Sequence, residues 1–135
     1  MKVAIIYSPK HKKLEAAAKN LGQTLEKNGH RVDYIRIEKS DRPASVTRYN
    51  FVYLGSVPEG TFGGKVPIEV SEYTKQCRGF QRVKSAAFMT KGLMFNAKGL
   101  RRLMGVLESA GSMVMDFQII TSNADATALA NRLKD

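Results

Sequence analysis

The sequence predicts an α/β fold in which a parallel β-sheet is covered by helices on both faces. Short apolar runs of strand length alternate along the 135 residues with stretches in which apolar side chains recur at helical spacing. Asn28-Gly29 and Gly111 follow two of the helical stretches, and such residues commonly end helices. Because right-handed crossovers place helices on either side of a parallel sheet, this alternation predicts one doubly wound domain spanning residues 1–135.

The first half of the chain contains three predicted strands. Val3 to Tyr7 is a continuous apolar run, as in a strand buried on both faces. His30 to Glu38 alternates apolar and charged residues, which is typical of an outer strand, and His30 itself is expected to be a surface or capping residue. Phe51 to Leu54 is the next buried strand, and a short helix is predicted before it, from Ser40 to Arg48. The first helix has its core positions at Leu14, Ala17, Ala18, Leu21 and Leu25.

The second half continues the alternation. The remaining predicted elements are a helix from Lys65 to a stop at Gly79, a strand from Val83 to Thr90, a helix capped by Asn96, a strand from Ser112 to Ile120, and a last helix capped by Ser122 or Asn123. The prediction is therefore five strands alternating with five helices. No linker, repeat or low-complexity segment interrupts them.

The charge of the chain is strongly and unevenly positive. There are 22 Lys and Arg against 12 Asp and Glu, which gives a formal net charge of +10. Residues 1–105 carry 20 basic and 8 acidic side chains, whereas residues 106–135 carry 2 and 4. This balance favours anionic partners, although it does not name one.

The cysteine content and the N-terminal stretch indicate a compartment. Cys77 is the only cysteine, so no internal disulfide and no cysteine-based metal site can form, which suits a reducing cytoplasm. The first apolar run ends at Tyr7 and is followed by lysines, which fits neither a signal peptide nor a membrane span. We therefore expect a cytoplasmic protein with no membrane partner and no bound metal.

Three loops form the expected ligand-binding region. In doubly wound sheets, ligands bind beyond the carboxyl ends of the strands where the strand order reverses, which selects the loops after the first, third and fourth strands. The first loop, Ser8 to Lys13, precedes a helix whose unpaired N–H groups and partial positive charge suit an anion. The second loop, Gly55 to Gly64, is the longest and the richest in glycine, and the third runs from Thr90 to Asn96.

These stretches resemble the flavodoxin family, and the resemblance covers essentially the whole chain. It rests on Val3 to Ser8 before a helix, on Tyr53-Leu54-Gly55-Ser56 running on through Gly63-Gly64-Lys65-Val66-Pro67, and on Ala87-Phe88-Met89-Thr90 with Gly92. The resemblance implies a sheet of order 2-1-3-4-5, an FMN site made by the three loops, and electron transfer as the activity. It implies an electron carrier rather than an enzyme with its own substrate, so no catalytic residue is assigned.

The residues implied to bind FMN follow from the same resemblance. They are Ser8, Lys10, His11, Lys12 and Lys13 in the first loop, Ser56, Val57, Pro58, Glu59, Gly60, Thr61, Phe62 and Gly63 in the second, and Thr90, Lys91 and Gly92 in the third. Phe62 is the candidate for stacking on the flavin ring, because it lies in a glycine-rich loop with no apolar periodicity around it. Tyr7 and Phe95 are interpreted as core or loop anchors.

The first loop departs from the family pattern and leaves two interpretations open. Flavodoxins usually have a Ser/Thr-x-Thr-Gly-x-Thr pattern there, and this chain keeps Ser8 but has Lys10, His11 and Lys13 in place of Thr, Gly and Thr. In one interpretation, charge-assisted bonds from lysines to the phosphate replace the hydroxyls. In the other, the phosphate site has been lost and the fold persists as an interaction module.

The possible partners follow from these two interpretations. An electron carrier with this charge would meet an acidic redox partner, and a flavin-free module would use its basic rim for an acidic protein or, less well supported, a nucleic acid. We define the basic rim as Lys10, Lys12, Lys13, Lys91, Lys98, Arg101 and Arg102. Arg78, Arg82 and Lys84 are expected at the opposite edge of the sheet. An NAD(P)H-dependent flavin reductase is less favoured, because no nicotinamide-binding insertion is visible.

Overall fold

A computed structural model describes residues 1–38, 42–60, 64–93 and 96–135. The regular elements are β1 (Lys2–Tyr7), α1 (Lys12–Lys27), β2 (Arg31–Arg36), β3 (Phe51–Ser56), α2 (Ile68–Gln76), β4 (Lys84–Thr90), α3 (Asn96–Ser109), β5 (Met113–Ile120) and α4 (Asn123–Asn131), with a single 3₁₀ turn at Phe80–Arg82. None of the helices in these ranges is both long enough and apolar enough to cross a membrane.

The five strands form one parallel sheet in the order β2-β1-β3-β4-β5. This is the predicted topology, and the doubly wound fold class is confirmed. The chain winds outward from β1 in one direction to β2 and in the other through β3 to β5, so the strand order reverses between β1 and β3. The crevice expected for a ligand in such a sheet lies at the carboxyl ends of these two strands.

The central strands feed two separate cores because successive side chains point to opposite faces. On one face, Val3, Ile5 and Tyr7 pack with α1 and α4. On the other face, Ala4 and Ile6 pack with α2 and α3. Burial on both faces explains why β1, β3 and β4 have nearly continuous apolar sequences. Each fully buried Ile or Leu side chain contributes about 1.5–3 kcal/mol to folding, so the two cores together fix the sheet between its helix layers.

The outer strand β5 is irregular. Ser85 of β4 pairs with Val114 and the next residue, Ala86, pairs with Asp116, so Met115 is an extra residue in a β-bulge. Met113, Met115 and Phe117 are exposed along this strand. This apolar edge contrasts with β2, the other outer strand, whose exposed residues include charged side chains.

The predicted helix from Ser40 to Arg48 is wrong in the part that the structure describes. Residues 39–41 lie outside the described ranges, and residues 42–48 contain no helix. The Val46 N–H donates to the Arg78 carbonyl at 2.8 Å, and the Arg78 N–H donates to the Ala44 carbonyl at 3.3 Å. Val46 is fully buried. The backbone groups of this short segment therefore bond to a segment that is distant in sequence instead of forming a helix. Burial of Val46 stabilises this arrangement more than the weak local propensity stabilises a helix.

Two further differences have local causes. Helix α2 begins at Ile68 rather than Lys65, because Lys65 and Glu59 pair as an antiparallel bridge before the helix starts. His30 is only 7% exposed, so its prediction as a surface residue is wrong. Its N–H does cap the first helix by donating to the Leu25 carbonyl at 3.0 Å, and its Nδ1 lies 3.1 Å from the Met1 amino group. The left-handed turn at Gly29 brings the imidazole beneath the helix end.

Candidate functional site

Ser8 is the most informative residue of the first loop. It follows β1 directly and is 3% exposed. Its Oγ is buried and has no hydrogen-bond partner among the described residues. Leaving a buried hydroxyl without a partner costs about 1–3 kcal/mol, so native structures rarely contain one without a reason. An acceptor from a bound ligand would satisfy this hydroxyl.

The start of α1 presents donors to the same loop. Helix α1 begins at Lys12 with His11 as its N-cap, and the His11 side chain makes no capping hydrogen bond. The N–H groups of the first turn have no partners within the helix, and they carry the positive end of the helix dipole. Lys12 and Lys13 are exposed and form no ion pair within the described part of the chain. Cations at this helix end oppose the dipole, and a bound anion would relieve that opposition.

Lys10 differs from its neighbouring lysines. Its Nζ lies 2.8 Å from Glu69 Oε2 in the first turn of α2. The carboxylate neutralises the ammonium and also lies at the positive end of the α2 dipole, where an acidic side chain is favourable. Lys10 therefore ties the first loop to α2 and is already paired, whereas Lys12 and Lys13 remain available to an anion.

The second loop begins as a rigid extension of β3. Ser56 is fully buried and its hydroxyl donates to the Val57 carbonyl at 3.1 Å, and Val57 packs against the core on the α1 face. Glu59 and Lys65 exchange backbone hydrogen bonds of 2.9 and 3.0 Å, and Gly60, which follows Glu59, has a φ of 90°. Thr61, Phe62 and Gly63 lie outside the described residues.

The third loop is closed by Asn96. The Gly92 N–H donates to Asn96 Oδ1 at 2.7 Å, and Asn96 Nδ2 donates to the Gly92 carbonyl at 3.3 Å. A Cβ atom at residue 92 would lie 2.6 Å from Pro58 Cγ. Because real Cβ atoms do not approach that closely, glycine is what allows the second and third loops to touch. Phe95, interpreted from the sequence as a core or loop anchor, is outside the described residues.

A cavity of about 600 Å³ opens at the same edge of the sheet, between α1, the end of β4 and the turn after β5. Four predicted site residues line it, namely Lys13, Thr90, Lys91 and Gly92. Ser8, Lys10 and residues 56–60 do not line this cavity. Thr90 is largely buried, and the alternation of β4 places its side chain on the α1 face, with those of Ala86 and Phe88.

Four polar residues of this cavity were not predicted as site residues from the sequence. They are Asn20, Thr121, Ser122 and Asn123. Asn20 Nδ2 donates to Asn123 Oδ1, which joins α1 to the first residue of α4. The position of residues 121–123 after β5 was the available signal, because the carboxyl ends of all parallel strands lie at one edge of the sheet.

The arrangement can bind an anion, and it offers little for covalent catalysis. Burial raises the pKa of the Cys77 thiol to about 11, so it is a poor nucleophile at neutral pH. Burial, and then the nearby Glu15 carboxylate, raise the pKa of Tyr7, which is part of the core. In the described ranges, no group of three or more His, Cys, Asp or Glu side chains could hold a metal ion.

No protein-family model and no curated protein matches the chain. Solved structures of flavodoxins resemble it in fold over nearly its whole length. Oxidised flavodoxin 1 from Bacillus cereus has a TM-score of 0.70 and 14% identity, and covers 97% of this chain and 93% of its own. The flavodoxin of Streptococcus pneumoniae TIGR4 has a TM-score of 0.72 and 13% identity, with 98% and 97% covered.

A larger protein shares the same fold in one part of its chain. Rubredoxin oxygen:oxidoreductase from Desulfovibrio gigas has a TM-score of 0.71 and 16% identity, and the match covers 96% of this chain and 33% of that one. At such low identities these likenesses establish the fold alone. The chain has the flavodoxin-like fold.

Proposed function

We propose that the protein binds FMN at the loops after β1, β3 and β4 and carries electrons to or from an acidic partner protein. The observation that supports this most directly is the buried Ser8 hydroxyl, which has no hydrogen-bond partner among the described residues and lies between the end of β1 and the start of α1. The likeness to solved flavodoxins supports the class of ligand. Bound FMN would supply the electron-transfer chemistry, since it can accept and release one or two electrons.

Different residues of the chain would make different contacts with FMN. The Ser8 hydroxyl would donate a hydrogen bond to a phosphate oxygen, and the first-turn N–H groups of α1 would face the same anion. Lys12 and Lys13 would supply the charge that the family's hydroxyls do not. Because residue 92 is glycine, the third loop can lie close to Pro58 of the second loop, so that both loops could border the flat part of the ligand.

The acidic partner is inferred from charge. Lys12, Lys13, Lys91, Arg101 and Arg102 are at least partly exposed at or near the carboxyl edge of the sheet. Electron transfer between proteins uses small, transient contacts, and complementary charge raises their rate of encounter. A protein that presents this rim would meet an acidic surface most readily.

A flavin-free binding module is the second candidate, and one feature of the first loop favours it. Pro9 has no N–H to offer a phosphate, and the His11 side chain makes no bond at the helix start. The same basic rim would then bind an acidic protein without a cofactor, and a nucleic acid remains the weaker form of this alternative.

Titration with FMN and with riboflavin separates the two candidates. Quenching of flavin fluorescence in low salt measures both affinities, and riboflavin lacks the phosphate. We expect FMN to bind at least 10-fold more tightly than riboflavin, and we expect the difference to shrink as salt is added. A colourless protein that quenches neither compound would contradict FMN binding and support the flavin-free module. Equal affinity for both compounds would contradict the phosphate site but not the binding of flavin.

A further inference from the structure

A second cavity lies at the opposite edge of the sheet from the three loops. It has a volume of about 500 Å³ and is bordered by the amino ends of β3 and β4, by β5 and by the segment after α4. We call it the amino-edge cavity. Its apolar residues are Met1, Phe51, Tyr53, Met115 and Leu133. The Phe51 and Tyr53 rings pack together with centroids 5.0 Å apart. Its size and its mixture of apolar and polar lining are those of a small-molecule site.

The β-bulge in β5 shapes this cavity. In a regular strand, neighbouring residues point to opposite faces of the sheet. Here Met115 and Asp116 are neighbours and both line the cavity, because Met115 is the extra residue of the bulge. Met115 is 53% exposed, so its thioether is available at the cavity mouth. Bulges frequently redirect a side chain toward a functional site.

Tyr53 places a polar group in the wall of the cavity. Its side chain is 1% exposed, and in the described part of the chain its hydroxyl has no hydrogen-bond partner. The hydroxyl lies within electrostatic reach of Asp116 and Arg132, which also line the cavity. Burial, and then the Asp116 charge, raise the pKa of Tyr53, so the phenol keeps its proton and can act as a hydrogen-bond donor.

The charges around the mouth are mainly positive. Arg82, Lys84, Arg132 and Lys134 line the cavity, together with the carboxylates of Asp116 and Asp135. Arg132 is held by Asp116, with Nε and Nη2 at 2.8 and 3.1 Å from the two carboxylate oxygens. The other three basic side chains form no ion pair within the described residues and are exposed. Among the described residues, three cations without ion pairs therefore surround an apolar floor that contains the unpartnered Tyr53 hydroxyl.

We propose that the amino-edge cavity is a second ligand site, which takes a small organic anion with an aromatic body. The aromatic part would contact Met115 and Leu133 above the Phe51 and Tyr53 rings, since thioethers and rings pack well on flat π systems. The anionic group would pair with Arg82 and Lys84 and accept a hydrogen bond from the Tyr53 hydroxyl. This site shares no described residue with the three loops, so it does not depend on FMN binding.

Nuclear magnetic resonance of the ¹⁵N-labelled full chain locates the binding directly. The protein is titrated in low salt with adenosine monophosphate, with 1-anilinonaphthalene-8-sulfonate and with inorganic phosphate. We expect both aromatic anions to shift the amide signals of Tyr53, Met115 and Asp116, and inorganic phosphate to bind at least 10-fold more weakly. Shifts confined to Ser8–Lys13 and Thr90–Gly92 would overturn the proposal. Binding of one aromatic anion alone would support the site and identify the preferred body.

Matched variants test the charge. Arg82→Glu/Lys84→Glu should weaken binding of the sulfonate at least 10-fold. Lys12→Glu/Lys13→Glu makes the same change in net charge at the opposite edge and should change the affinity less than 2-fold. Equal losses in both variants would mean a general attraction to positive charge and would overturn the proposal. Saturating FMN should leave the affinity unchanged, and competition would assign the sulfonate to the three loops instead.

Tyr53→Phe tests the hydroxyl with a minimal change in shape. We expect it to weaken the sulfonate by about 10-fold, as the loss of one hydrogen bond to a charged group does. The ring remains in the core, so thermal unfolding should be nearly unchanged, and that measurement checks that the variant is folded. A folded Tyr53→Phe variant with wild-type affinity would show that Tyr53 is not part of the site. If Arg82→Glu/Lys84→Glu also binds with unchanged affinity, the proposal is overturned.

Discussion

The Lys10 ammonium lies 2.8 Å from the Glu69 carboxylate and joins the loop after β1 to the first turn of α2. Both side chains are partly exposed, so the pair adds little to stability. Its main effect is on the proposed anion site, because it engages Lys10, one of the three lysines of the first loop. The sequence suggests three equivalent cations there. In the described structure Lys10 is paired, and Lys12 and Lys13 remain available to an anion.

The lysines of the first loop should consequently differ in their effect on FMN binding. Lys13→Gln is expected to weaken FMN about 10-fold at low salt, because it removes an unpaired charge beside the first turn of α1. Lys10→Gln should weaken it less than 3-fold, and Glu69→Gln, which releases Lys10, should bind FMN at least as tightly as the unmodified protein. Fluorescence titration measures all three. Equal losses for Lys10→Gln and Lys13→Gln would contradict the assignment.

Ser8→Ala should weaken FMN about 10-fold and yet stabilise the ligand-free protein by about 1 kcal/mol, because the buried hydroxyl has no hydrogen bond to lose within the described ranges. Urea denaturation without FMN gives the free energy of unfolding, and the titration gives the affinity. Ser112→Ala is the matched control. Its hydroxyl is also buried but donates to the Val83 carbonyl at 2.6 Å, so that variant should lose about 1 kcal/mol or more. Destabilisation of both variants would mean that Ser8 has a partner in the folded chain.

Gly55→Ala should destabilise the protein by about 2 kcal/mol. Gly55 pairs with Phe88 in the sheet register, and a Cβ atom at residue 55 would overlap the Phe88 ring. A second change, Phe88→Leu, should cost less stability in the Gly55→Ala background than in the unmodified protein. Gly105→Ala is the control, because a Cβ atom there meets nothing within 4 Å and alanine favours the helix. Thermal or urea unfolding measures the set, and a neutral Gly55→Ala would contradict the close packing.

Cys77 should react slowly with iodoacetamide at pH 8. Burial raises the pKa of its thiol from 9.0 to about 11, so about 100-fold less thiolate is present than in an ordinary cysteine. The rate should keep rising with pH up to about 11, and in urea-unfolded protein it should follow an ordinary thiol. Mass spectrometry of the alkylated protein measures both rates. An inflection near pH 9 in the folded protein would show that the thiol is less buried than described.

The midpoint potential of bound FMN should become more negative as salt is added. Reduction adds negative charge to the site, and the unpaired Lys12 and Lys13 favour that charge. Raising the ionic strength from 0.01 M to 1 M shortens the screening distance from about 30 Å to about 3 Å and weakens the effect. Spectroelectrochemical titration at several salt concentrations measures the trend. A potential that does not depend on salt would count against the role of the two lysines.

The sheet could be predicted from the sequence because the apolar runs of its central strands favour no other secondary structure. Val3–Tyr7 and Phe51–Leu54 are short, apolar and bounded by turns, and burial on both faces excludes charged side chains from them. The regular alternation with helices then leaves few topologies, and 2-1-3-4-5 is the one observed.

What could not be predicted depends on contacts between distant parts of the chain. No sequence feature near Val46 indicates that its N–H donates to the Arg78 carbonyl, and none near Lys10 indicates its ion pair with Glu69. The loop after β5 was passed over for a related reason. Its residues contribute to the 600 Å³ cavity because α4 packs beside α1 in the core, where Asn20 also bonds to Asn123. The assignment of Thr61, Phe62 and Gly63 to the FMN site stays a prediction from the sequence.

The bulge at Met115 also affects how the molecule meets copies of itself. Met113, Met115 and Phe117 would make an outer strand attractive to a strand from another chain. The extra residue bends β5 and breaks the even spacing of its outward N–H and C=O groups. Bulges are one means by which native sheets discourage pairing with another chain. The same irregularity that places Met115 beside Asp116 at the amino-edge cavity therefore also makes β5 a poorer template for edge-to-edge aggregation.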